Sequence, residues 1–359
     1  MKANILSNLK KIAILRANAL GDFIFALPAL KALRETYPKA ELVYLGKPWH
    51  ETFLKDRKEI VDRVVTIPVS YGIREENGKR ENTKELESFF CGMQKKKFDI
   101  AIQLHGGGRN SNPFVSKLGA QITIGSQTFD ALGLDTTIPY IYYQNEYLRC
   151  LEIVALVGAK TKEIVPHLNV RPKDVNEARE VIGGMSKPLV ILHPGVNDLR
   201  RQWPEERFAQ VGDSLAKKGL SIALTGTKNE EKLVSNVIRK MQIKPLNLCS
   251  KLTINGLTGL LKIAKLIISN DTGPLHLGAA IGTKTVGIYW CGNRINGGPI
   301  TIATNTPLIS WLTRCPLCGT DMTKLIVKKS HECSHNVSFV KDVSVKTVYE
   351  AANYLLAEE

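Results

Sequence analysis

The chain has 359 residues, 43% of them hydrophobic and 23% charged, an ordinary globular balance that excludes a disordered, collagenous or low-complexity protein. That length exceeds one comfortable core, so two domains are expected. A net charge of +15 points either to a solubilising surface or to an anionic partner, and with no DNA- or RNA-binding motif in the sequence, nucleic acid is set aside.

Asn8, Lys10 and Lys11 interrupt the first apolar run before it reaches signal-peptide length, and no stretch approaches ~20 apolar residues. A cytoplasmic protein is expected, with at most peripheral contact with the inner membrane. Strand candidates in the first half are 11–17, 41–46, 61–68, 98–105 and 120–126. They alternate with helical segments at 22–36, about 50–58, 83–97, 110–118 and 143–158, the pattern of βαβ units around a parallel sheet. The polar, proline-bearing stretch 160–175 reads as a connection and carries the domain boundary. The scheme then repeats, with strands at 188–195, 220–227, 266–271 and 284–290 and helices at 204–218, 229–241, 255–265 and 273–281. The expected division is 1–165, then 166–343 with a Cys-rich insertion at about 292–343, then a closing helix, 344–359.

Ligands bind open α/β sheets at the carboxyl ends of their strands, so the residues following each strand carry the chemistry. In "SNDTGPLHLGAA" (269–280), Asp271 or Thr272 is an N-cap, Gly273 admits close backbone approach and Pro274 suits the first helical turn. Free amides and the helix dipole there make a phosphate site, although a plain capped helix reads the same, and His276 fits a ligand contact or a core histidine. In "LHPGVNDLRRQWPEERF" (192–208), His193 and Gly195 close a strand, and Arg200 and Arg201 follow in a loop where a guanidinium can pair with a diphosphate. Two solvated arginines are the plainer alternative. Thr225, Gly226 and Thr227 supply small polar groups for a base or ribose. In "NALGD" the single acid Asp22 enters an apolar helix beside Asn18 and Gly21, as a cap or as a general base. His105, three glycines and Arg109 end a neighbouring strand and suit a polar co-substrate.

Together "ILRANALGDFIFALPALKALRETYPKAELVYLG", "HPGVNDLRRQWPEERFAQVGDSL", "LTGTKNEEKLV" and "ISNDTGPLHLGAAIGTKTVGIYW" resemble, in order, glycosyltransferase family 9, the heptosyltransferases of bacterial lipopolysaccharide assembly. The resemblance implies a GT-B fold: two Rossmann-like domains facing each other across a cleft, acceptor on the N-terminal one (Asn18, Gly21, His105, Arg109) and nucleotide-sugar on the C-terminal one (His193, Gly195, Thr225, Gly226, Asp271, Thr272, Gly273, Pro274, His276). It implies inverting transfer without a catalytic metal. Asp22 falls on the family's proposed base and Arg201 on a basic residue, often lysine, before the Trp-Pro pair. An ADP-sugar donor and an anionic glycan or glycolipid acceptor follow from the same likeness. Lys228 stands where some members carry an acid for the ribose.

"RCPLCGT" (314–320) and "SHECSHN" (330–336) place Cys315, Cys318, Cys333 and His335 as a tetrahedral structural zinc set, with His331 spare; the alternatives are reduced thiols or a disulfide, and a cytoplasmic setting argues against the disulfide. Two other functions share the architecture, a sugar-nucleotide 2-epimerase and a catalytically silent nucleotide-sugar-binding scaffold.

Overall fold

The computed structural model of the protein describes residues 9–184, 187–323 and 333–357. Its contacts divide the chain into two units, Met1–Pro166 and His167–Glu359. In the first, β1 (Lys11–Leu15), β2 (Glu41–Gly46), β3 (Arg63–Thr66), β4 (Ile100–Gln103), β5 (Ile122–Gln127) and β6 (Thr136–Pro139) form a parallel sheet in the order β3-β2-β1-β4-β5-β6. In the second, β7 (Leu189–His193), β8 (Ser221–Leu224), β9 (Leu246–Asn247), β10 (Leu266–Asn270), β11 (Lys284–Trp290) and β12 (Asn305–Ser310) run β12-β11-β10-β7-β8-β9, also parallel. Renumbered from its own first strand, the second sheet repeats the order of the first. Each unit is a doubly wound Rossmann-like sheet, and the strand order reverses once, between β1 and β4 and between β7 and β10. This is the GT-B class of α/β fold.

The central strands are buried along nearly their whole length, as parallel strands covered by helices on both faces must be. The Leu20–Thr36 helix buries every residue from Phe23 to Leu30, because it lies between its sheet and the Glu146–Ala155 helix. Phe23 meets the rings of Tyr44, Trp49, His50 and Phe53 edge-on at 5.8–6.1 Å. The second core centres on fully buried Trp203, in edge contact with Phe208 at 5.0 Å, with Val348, Ala352 and Leu355 of the Val345–Ala357 helix closing it. Among the described residues no helix is long and apolar enough to cross a membrane.

Several elements depart from the sequence expectation, among them a short helix, Cys291–Gly297, at the start of the expected insertion. A helix, Pro172–Ile182, begins inside the 160–175 connection, with Pro172 at its first positions, where proline's missing N–H costs nothing. Strands β6, β9 and β12 lie at sheet edges, where short length and prolines such as Pro139 and Pro307 are tolerated and the apolar signal is weak. Because β12 pairs with β11 over six residues, the stretch 292–343 is not wholly an insertion; it supplies an edge strand of the second sheet.

His50 accepts a hydrogen bond from the Lys47 amide at 2.9 Å, and burial pushes its pKa down to about 3. The unfolded chain takes up this proton near pH 6.5 and the native one does not. The contribution of the neutral ring is therefore whole above pH 6.5 and is lost as pH falls toward 3. His50→Gln is expected to narrow the difference in urea-unfolding free energy between pH 7 and pH 4.5; an unchanged difference would contradict a buried neutral His50.

Candidate functional site

Most of the sequence-predicted residues, Arg109 and the cysteine motif excepted, lie near the two strand-order reversals, where the helices after the central strands leave to opposite faces and open a crevice. In the first unit Asp22 lies in the first turn of the Leu20–Thr36 helix, and its Oδ2 accepts from the amide of the N-cap residue, Ala19, at 3.2 Å. The other oxygen meets Arg16. Arg16 is 2% exposed, and its Nη2 donates to Asp22 Oδ1 at 3.1 Å and Glu146 Oε2 at 3.2 Å. Its Nε donates to the Asp22 carbonyl at 2.6 Å and Nη1 to the Leu104 carbonyl. Glu146 also pairs with Arg149, whose guanidinium stacks over Tyr140 at 4.2 Å. The Asp22 side chain keeps about a third of its surface exposed (35%), so its carboxylate is both oriented and reachable.

Across the same reversal His105 Nδ1 accepts from the Ala17 amide at 3.1 Å, which leaves the proton on Nε2 of the neutral ring. Burial, with Arg16 adding to it, pushes His105 down to about 4. Asn18 is half-buried, and its Oδ1 has no hydrogen-bond partner among the described residues. Gly21 is buried in the helix start. Arg109 is exposed and reaches only Asp130, at 3.8 Å, so it stands apart from this group.

In the second unit Asp271 joins two sequence-predicted residues. Its Oδ2 lies 3.3 Å from Arg201 Nη1 and its Oδ1 2.9 Å from His276 Nε2. Asp271 and His276 are buried, whereas Arg201 is partly exposed. Arg200 is drawn away by Asp198, which takes both Nε (2.9 and 3.1 Å) and Nη2 (2.7 Å). Thr272 caps the Gly273–Ala280 helix. Pro274 has no amide hydrogen and the Leu275 amide donates to the Thr272 carbonyl, which leaves the amides of Thr272 and Gly273 for an anion. His193 Nδ1 and Thr225 Oγ1 are 3.1 Å apart and both buried. They bond each other and support the loops from below, and burial holds His193 under its ordinary pKa.

Four contributors escaped the sequence reading. Arg16 and Glu146 position Asp22. Buried Asn270 accepts from the Trp203 amide at 3.0 Å and donates to the Pro194 carbonyl at 2.9 Å, tying both ends of the loop after β7 to the end of β10. Glu230 accepts from the Thr227 amide and hydroxyl at 2.7 and 2.9 Å. Its carboxylate lies directly over Gly195, where a Cβ would come within 1.9 Å of Glu230 Oε1 and displace it, so the donor-side loop has an acid despite Lys228. A charged residue closing an apolar strand was the available signal for Arg16.

The cysteine motif forms a separate cluster in the second unit. The ligating atoms of Cys315, Cys318, Cys333 and His335 all lie within 4.8 Å of one another. Cys318 and Cys333 sulfurs are 3.6 Å apart, and His335 Nδ1 is 3.7 Å from Cys315 Sγ and 3.5 Å from Cys333 Sγ. A tetrahedron with metal–sulfur bonds of about 2.3 Å and metal–nitrogen bonds of about 2.0 Å has edges of roughly 3.5–3.8 Å, so the donor set fits one such ion. Gly319, at φ +72°, makes the left-handed turn that lets its amide reach the Cys315 carbonyl at 2.9 Å. Hydrogen bonds from the Thr320 side chain and amide pull the Cys318 thiol down to about 6. His331 lies outside the described residues.

The model of glycosyltransferase family 9 (heptosyltransferase) matches residues 87–308. The lipooligosaccharide heptosyltransferase 2 of Haemophilus ducreyi is 21% identical over 97% of this chain and 99% of its own length. Among solved structures, a family 9 glycosyl transferase from Veillonella parvula superposes with a TM-score of 0.78 at 21% identity, covering 98% of both chains. The E. coli ADP-heptose LPS heptosyltransferase II superposes at 0.76 with 16% identity, covering 97% of this chain and 98% of that one.

Replacing Arg16 by Met strips the cation from Asp22 and Glu146 together. The expected loss of unfolding free energy in urea is about 2–3 kcal/mol, at the low end for a buried ion group because Asp22 is partly hydrated. Arg16→Lys is expected to recover less than half of it, since a point charge cannot fork between two carboxylates; full recovery would contradict the positioning role.

Proposed function

This chain belongs to glycosyltransferase family 9, and on that footing we propose that it is an inverting heptosyltransferase. It moves heptose from ADP-heptose to a hydroxyl of a lipopolysaccharide-type acceptor, with acceptor on the first unit and donor on the second. Family membership makes the chain a glycosyltransferase. The finer reading is supported by the naming of the H. ducreyi relative and of the E. coli structure, and the anionic acceptor by the net charge of +15. A glycolipid acceptor puts the enzyme at the cytoplasmic face of the inner membrane, where a basic surface is attracted.

One observation carries the reading: a forked, buried arginine holds a reachable carboxylate at one strand-order reversal, and an Arg–Asp–His group beside a helix N-terminus occupies the other. Asp22 takes the proton of the acceptor hydroxyl as that oxygen attacks the anomeric carbon on the side opposite the diphosphate. The new C–O bond forms as the bond to the phosphate oxygen breaks, which inverts the anomeric centre. Charge grows on the departing ADP and is met by Arg201 and the amides of Thr272 and Gly273. Asp271 would repel the diphosphate if left bare; Arg201 and His276 cover both its oxygens and leave the site attractive to an anion. Positive charge therefore comes from the chain itself, and the scheme has no role for a catalytic metal. Glu230, with Gly195 beneath it, is the ribose contact, and Asn18, Gly21 and His105 serve the acceptor. The Cys315, Cys318, Cys333 and His335 cluster holds a single zinc ion with a structural role.

Asp22→Asn is expected to lower kcat by about 10²–10⁴-fold with ADP affinity unchanged in calorimetry, and Arg201→Ala to weaken ADP binding by about 10- to 100-fold, the worth of a charge-assisted bond. Near-native turnover in Asp22→Asn would remove the base from the scheme. Metal analysis of the purified protein is expected to find zinc in one-to-one ratio with the chain.

A further inference from the structure

The backbone on both sides of Arg201 is held by one short segment that starts at the cysteine cluster. Ser338 Oγ donates to the Gln202 carbonyl at 2.6 Å, and the Phe339 amide donates to the Arg200 carbonyl at 2.7 Å. A few residues on, the Val343 carbonyl accepts from the Trp203 indole and from Arg207, both at 2.8 Å. The Phe339 carbonyl accepts from Ser310 Oγ at 2.5 Å at the end of β12, and Val340 is fully buried. Residues 338–343 are thus a strap across the Leu199–Trp203 loop, and only Asn336 and Val337 separate it from His335. The loop's other anchors are a single 3₁₀ turn closed by the Arg201 and Gln202 amides on Asp198 and Leu199, the Asp198 side chain on Arg200, and Asn270 on the Trp203 amide.

We infer that the metal at Cys315, Cys318, Cys333 and His335 tethers this strap and, through it, sets the placement of Arg201 and hence the affinity of the donor site for a nucleoside diphosphate. The inference rests on the zinc site and on Arg201 as the diphosphate contact, both proposed above. Its physical basis is the difference the ion makes to one anchor. With metal, His335 and Cys333 are bonded to the same centre as Cys315 and Cys318, which follow β12, so the strap's leading end is fixed to the sheet edge. Without metal, three sulfurs and an imidazole within 4.8 Å are held only by weak sulfur hydrogen bonds of 3.5–3.7 Å in place of four metal–ligand bonds. The strap's leading end then has a weaker anchor, and ordering it becomes part of the cost of binding donor. The ligands touch neither Arg201 nor Asp271 in this account; they are positioning residues.

The test uses the full chain, zinc-loaded, stripped with a chelator and reloaded, together with Ser338→Ala, which leaves every metal ligand in place. Zinc content, ADP affinity by calorimetry, and KM for donor and for acceptor are read on each. Stripping is expected to weaken ADP binding and raise the donor KM by about tenfold, with reloading restoring both and the acceptor KM unmoved. Ser338→Ala is expected to keep its zinc and weaken ADP binding by about 2- to 10-fold, the worth of one neutral hydrogen bond. ADP affinity unchanged by both stripping and Ser338→Ala, with zinc shown to have been present, would overturn the coupling and leave the zinc site standing. Absence of zinc from the purified chain would overturn zinc site and coupling together, while failure of ADP to bind the loaded protein would overturn the donor reading on which the coupling rests. Where stripping unfolds the chain, Ser338→Ala decides alone, an unchanged ADP affinity being the contrary result.

Discussion

A parallel sheet whose strand order reverses leaves a gap above the reversal, because the helices following its two central strands must leave to opposite faces. That constraint is met twice in this protein. The first unit places the ends of β1 and β4 side by side, and the second those of β7 and β10. Backbone amides freed at strand ends and helix starts gather there, with the side chains that follow them.

The two gaps are fitted out in opposite senses. The first buries a cation to hold an anion: Arg16, closed off from water, spends its fork on Asp22, Glu146 and two carbonyls. A carboxylate gripped this way keeps one geometry, which a proton acceptor needs for a positioned hydroxyl. The second buries an anion to present a cation. Asp271, paired on one side with His276, holds the partly exposed Arg201 from behind. In each case the buried partner is satisfied by several hydrogen bonds, the condition under which a charge survives in the interior.

Much of this was legible in the sequence, for identifiable reasons. Strands buried on both faces announce themselves as apolar runs, so β1, β2, β4, β7, β8, β10 and β11 were visible. Asp22, Arg201 and the 271–276 stretch stood out because charge or glycine and proline followed such runs directly. Of the four edge strands β3 stood out within 61–68, whereas β6, β9 and β12 were missed because they are short, need only one partner and, in β6 and β12, carry proline. Partners distant in sequence were equally hidden: nothing local in "NEYLRC" marks Glu146 as the second prong of Arg16, and Glu230 gained meaning only once Gly195 was found beneath it. His193 and Thr225 show the converse, polar residues at strand ends that turned inward to bond each other. The cysteine spacing identified its cluster, but that the same segment straps the Arg201 loop is a tertiary fact.

The central claim is that the nucleotide diphosphate binds at the β7/β10 reversal. Hydrogen–deuterium exchange with and without ADP tests it directly, because slowed amide exchange maps where a ligand stabilises the backbone. The account predicts protection in 193–203 and 270–277, with none in 16–23 or 103–109. Protection confined to the first unit's loops would contradict it.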